Sequence, residues 1–117
     1  MERLGTMEAL YNKMGEYTKM EEELPFDEFV ACYNDLIAFL QREYQNLSED
    51  ELVQAKGMTM IVAGNAKMRS LRKDANRKKF VKMSEKAKFW EDAIALRLRK
   101  EGMTEDVLDE KVGALWE

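Results

Sequence analysis

A chain of 117 residues with 45% apolar and 36% charged positions and a single proline has the size of one domain and too much apolar content for a disordered chain. Its longest apolar runs are only a few residues, which excludes a spanning helix of about 20. Its formal charge of −4 and its one cysteine argue against a uniformly cationic protein and against an internal disulfide. With no charged and then apolar segment opening the chain, the cytoplasm is the expected location.

Glu, Lys, Leu, Met and Ala dominate while Val, Ile and Thr are sparse, so helices are expected and a sheet is not. Leu4, Met7, Tyr11 and Met14 recur at spacings of three and four and predict a first helix that ends near Gly15. Thr18 with Glu21 has the spacing of a capping box, followed by the acidic run Glu21, Glu22 and Glu23, which predicts a single turn or a loop.

Pro25 suits a first helical turn, and Phe29, Tyr33, Leu36, Leu40, Tyr44 and Leu47 follow at helical spacing. A helix over 26–47, roughly 33 Å long, is expected. Ser48 and Glu51 then form the clearest capping box of the chain and open a helix over 49–73.

That helix carries two apolar seams about 140° apart. One is Leu52, Ala55, Thr59, Val62 and Ala66; the other is Gly57, Ile61, Gly64, Met68 and Leu71. A helix apolar on two sides should lie between neighbours, with the glycines at 57 and 64 admitting one of them closely.

The apolar pattern lapses at Lys73, Asp74, Ala75 and Asn76, where Asp74 can cap a new start, so a tight turn between helices is expected and one continuous helix is the competing reading. Phe80, Met83, Ala87, Trp90 and Ile94, broadened by Phe89, Ala93, Leu96 and Leu98, predict a helix over 75–101 that packs antiparallel to the central one. Gly102 supplies its stop, and Thr104 caps a short last helix bearing Val107, Leu108, Val112, Leu115 and Trp116. The expected fold is therefore all-α: one domain over 1–117, an antiparallel bundle of about four main helices plus a short extra one.

The chain has no histidine, which removes the commonest general base, the commonest zinc ligand and every Ser-His-Asp or Cys-His arrangement. No phosphate-cradling or dinucleotide glycine motif follows a strand. The Glu21–Glu23 run lacks the histidine that bundle metal sites usually add, and Cys32 lies beside Glu28 and Asp35 rather than lysines, a setting that does not activate a thiol. No catalytic, cofactor-binding or metal-ligating residue is expected, and no cofactor.

Charge, in contrast, is segregated. Residues 65–100 hold 13 Lys or Arg against 4 Asp or Glu, a net of +9, while the remainder carries −13. The densest part is Lys67, Arg69, Arg72, Lys73, Arg77, Lys78, Lys79 and Lys82, around the proposed turn.

Two functions fit. The favoured one is a non-enzymatic interaction or assembly protein, with a protein partner or a second copy of itself, the basic segment facing acidic surfaces. The alternative is a nucleic-acid-associated factor in which those eight cations contact the phosphate backbone. No membrane or metal partner is expected.

Overall fold

The computed structural model describes residues 5–117, so Leu4 of the first apolar series lies outside the described residues. Among them the chain is all α-helical with no strand, as composition and periodicity require. The described residues form two compact units, one of residues 5–47 with Trp116 and one of residues 48–115 with Glu117.

In the first unit, α1 (Met7–Thr18) starts at Thr6, whose hydroxyl accepts the Ala9 amide. Met7, Leu10 and Met14 are buried at three- and four-residue spacing, so the apolar series makes the helix face it implies. The helix does not stop at Gly15. It continues to Thr18, whose hydroxyl donates to the Gly15 carbonyl; Thr18 therefore ends a helix instead of capping one, and residues 19–25 are an irregular connection.

Gly15 has a steric role inside the helix, since a Cβ there would lie 2.7 Å from Cδ1 of Trp116. The indole is held against α1 by stacking on Tyr11 at 4.8 Å between centroids. Its Nε1 donates to the Tyr11 carbonyl and its backbone N–H to the Tyr11 hydroxyl, at 2.7 and 2.8 Å. Trp116 also adopts φ +64°, a left-handed conformation unfavourable for a side chain of this size, which these contacts offset.

Helix α2 (Phe26–Glu43) follows Pro25 and buries Phe29, Cys32, Leu36, Ile37, Phe39 and Leu40. It ends four residues before the expected boundary, because Tyr44–Asn46 tighten into a 3-10 turn and Leu47 turns extended and buried ahead of the next cap.

The second unit opens on the capping box. Ser48 Oγ accepts the Glu51 amide at 3.2 Å and Glu51 Oε1 accepts the Ser48 amide at 3.0 Å. Helix α3 (Glu49–Ser70) and helix α4 (Arg77–Lys100) are separate and pack extensively. Lys56 of α3 meets Glu91 of α4, and Arg69 meets Phe80; later residues of α3 thus face earlier residues of α4, as an antiparallel hairpin requires. The Lys56–Glu91 pair, 2.8 Å long and almost enclosed at 11% and 12% exposure, fixes that register, because sliding either helix would strand a charge away from water.

Asp74 does not cap α4. Its Oδ1 accepts the Asn76 amide at 2.7 Å within the turn, and Asn76 occupies the cap position with no side-chain bond to the helix. At the far end the Met103 amide reaches the Leu98 carbonyl and the Gly102 amide that of Arg99, with Gly102 at φ +101°, which is the paired bonding of a glycine-terminated helix. Helix α5 (Glu105–Gly113) is capped by the Thr104 hydroxyl, buries Leu108 and packs on α3, where Lys111 pairs with Glu49 at 3.8 Å.

The two seams of α3 have different fates. Leu52, Ala55, Thr59, Val62 and Ala66 are all buried, the Thr59 hydroxyl donating back to the Ala55 and Lys56 carbonyls. The second seam is buried at Gly57, half-buried at Ile61 and exposed at Gly64, Met68 and Leu71. Among the described residues the C-terminal half of α3 is therefore not sandwiched, and the glycine at 64 admits no neighbour: no atom outside its own stretch of helix lies within 4 Å of where its Cβ would be.

Gly15→Ala should lower stability by about 1–3 kcal/mol from overpacking against the indole, although alanine is the better helix former. In a Trp116→Ala background the same change should become neutral or gain up to about 1 kcal/mol, a sign reversal read directly from urea denaturation of the four proteins.

Candidate interaction surface

The eight candidate cations do not behave alike. Lys67 is exposed in the last turn of α3; Arg72 and Lys73 are exposed in the turn that follows; Arg77, Lys78, Lys79 and Lys82 are exposed on the first turns of α4. Arg69 is the exception, only 5% exposed with its guanidinium 5.7 Å above the Phe80 ring, so it is a packing residue of the hairpin.

Among the described residues, Lys67, Lys73, Arg77, Lys78 and Lys82 form no ion pair. The single acid within 67–82 is Asp74, and one of its oxygens is occupied by the Asn76 amide. Nearby ion pairs form elsewhere on α4, where Lys88 reaches Asp92 at 3.1 Å and Glu91 at 3.6 Å.

The placement of Arg77, Lys78 and Lys79 also opposes the helix dipole. The start of a helix carries partial positive charge and favours acids, and α1, α3 and α5 each have an acid in the first turn and a hydroxyl cap. Helix α4 has neither.

A second feature is apolar. Seen down α4 from Ala87, at 100° per residue, Phe80, Met83, Ile94 and Leu98 fall within about 40° of it, whereas Phe89 and Leu96 lie at about 180–200°. The first set is buried. Phe89 and Leu96 are 63% and 54% exposed, so they do not broaden the core stripe as their place in the apolar series suggested. Leu71, at the hairpin turn, is 75% exposed.

On another side of the hairpin an open groove of about 560 Å³ runs over Gly64, between Met60 and Ala63 of α3 and Val81 and Ser84 of α4. The missing Cβ at 64 leaves its floor open.

Cys32 is 4% exposed, with its thiol 3.9 Å from the Met14 sulfur; burial, with a smaller contribution from Asp35, pushes its pKa up to about 12. A thiol so protonated is a poor nucleophile. Glu21, Glu22 and Glu23 are exposed on the 19–25 connection. Among the described residues no cluster of three or more Cys, Asp or Glu is arranged to hold a metal ion, and no helix is long and apolar enough to cross a membrane.

No known family model, curated protein or solved structure matches this chain.

Two outcomes follow from these side chains. Gly64→Ala should raise stability by about 1 kcal/mol, seen as a higher urea midpoint, because the position is helical and open. Cys32 should resist thiol reagents at pH 8 in the native state and react at once after unfolding. Since its pKa is raised by folding, its contribution to stability is complete below the ordinary thiol value of 9.0 and declines as the pH rises toward 12. Cys32→Ala should remove that component, up to about 1.4 kcal/mol per pH unit, from the alkaline slope.

Proposed function

We propose that this chain is a non-enzymatic interaction protein that assembles with a second copy of itself through the outward face of α4. The observation that carries this reading is the pair Phe89 and Leu96, seven residues apart, on the side opposite the core stripe and more than half exposed. Their unit draws little core packing from them, Phe89 meeting the edge of Trp90 at 5.6 Å between centroids, and large apolar side chains on one helical stripe are the usual material of a helix-to-helix contact.

Charge favours a second copy as the partner. One chain holds both a +9 segment and a −13 remainder, so two copies bring complementary surfaces to each other without a further protein. Complementarity of this kind guides association and register more than it adds affinity, which leaves the apolar pair to supply the burial.

The test is sedimentation equilibrium from low to high micromolar protein. Concentration-dependent dimerisation is expected, and Phe89→Asp with Leu96→Asp should return the protein to monomer with unchanged helical circular dichroism, since neither side chain is buried in the unit. A wild-type protein that stays monomeric over that range, or a double variant that still dimerises, would refute assembly through this face.

A further inference from the structure

We propose that the α3–α4 turn is a second, separate binding site, for the phosphodiester backbone of a nucleic acid. Seven exposed cations from the end of α3, the connection and the first turns of α4 gather there with one acid among them. Five of the seven, Lys67, Lys73, Arg77, Lys78 and Lys82, form no ion pair among the described residues, whereas Lys88 and Lys56 on the same two helices are paired.

The arrangement opposes the stability of the unit that bears it. Like charges crowd a six-residue connection and the helix ends it joins, and Arg77, Lys78 and Lys79 sit at the positive end of a helix without a side-chain cap. Arg77 and Lys78 break that local rule with no ion pair among the described residues, and such a break marks a position shaped by something outside the molecule. A polyanion laid over the turn reverses both penalties, because it neutralises the cations and releases its own condensed counterions.

The chemistry also limits the ligand. No aromatic side chain is exposed among the cations, Phe80 being 3% exposed and packed under Arg69, so there is no platform for stacking bases. The contacts are to phosphate, and recognition is expected to be insensitive to sequence. Leu71, exposed at the same turn, would suit insertion into an anionic bilayer, which the experiment separates from nucleic acid.

The experiment is fluorescence anisotropy of labelled duplex and single-stranded DNA of mixed sequence, with the full chain, at several salt concentrations. If five cations reach phosphates of the duplex, log affinity should fall against log salt with a slope of about −4.5, roughly a 500-fold loss between 50 and 200 mM. Lys73→Glu, Lys78→Glu and Lys82→Glu together should abolish binding, while the same positions changed to Arg should retain it. Lys78→Glu alone should raise the melting temperature at low salt while weakening binding, a combination that damage to the fold does not produce.

Leu71→Asp should leave DNA binding unchanged. Absence of DNA binding at 50 mM salt, binding that survives the triple charge reversal, equal binding to polyglutamate, or a preference for anionic phospholipid vesicles that Leu71→Asp eliminates would each overturn the proposal. Phe89→Asp with Leu96→Asp should bind DNA like the wild-type monomer, which keeps this site independent of assembly through α4.

Discussion

The antiparallel packing of α3 on α4 is the constraint from which the second unit takes its form. Leu52, Val62, Ile94 and Leu98 have 0–2% of their surface exposed, and burying side chains of this size contributes about 1.5–3 kcal/mol each. Ala55, Ala66 and Ala87 in the same stripes are fully buried, and their small size keeps the helix surfaces shallow enough to interlock. The Lys56–Glu91 pair selects one register from those the apolar stripes would tolerate. With that register set, the long Arg69 side chain reaches the Phe80 ring, the remaining cations face outward around the turn, and Phe89 and Leu96 point away.

Local chemistry made much of this legible in the residues. The capping box at Ser48, the cap at Thr104 and the stop at Gly102 each bond as their sequences imply, because they involve only neighbours along the chain. The core series of α1, α2 and α4 and the first seam of α3 also lie where spacing puts them. The misjudged features depend on what lies distant in sequence or on a choice between two local bonds. Gly15 looked like a helix stop, yet it answers to an indole 101 positions later. Gly64 looked like a point of close approach and is open. Asp74 looked like a cap and instead tightens the turn, since an Asp side chain can bond an amide two residues on as readily as it can cap a helix.

The candidate surface was half legible. Residue counts alone located the basic segment, but which cations are free to act required the fold, and Arg69 left the set only when its partner ring was known. Phe89 and Leu96 were readable in principle, since their angular offset from the core stripe follows from 100° per residue. They were absorbed into that stripe because an apolar residue beside a core series is usually core. An exposed apolar pair and an exposed basic turn on one hairpin give it two faces of different chemistry, one suited to burial against protein and the other to a charged polymer.

The six-residue connection between α3 and α4 has a kinetic side as well. Closing so short a loop carries little entropic penalty, and contacts between sequence neighbours favour fast folding, so the hairpin is well placed to form early. Its formation nonetheless drives seven exposed cations together before any other part of the chain is needed. The barrier to that step therefore contains an electrostatic component that ionic strength screens, and the same positive charges that make the turn a candidate contact also make the pace of folding responsive to the ionic surroundings in which the chain is made.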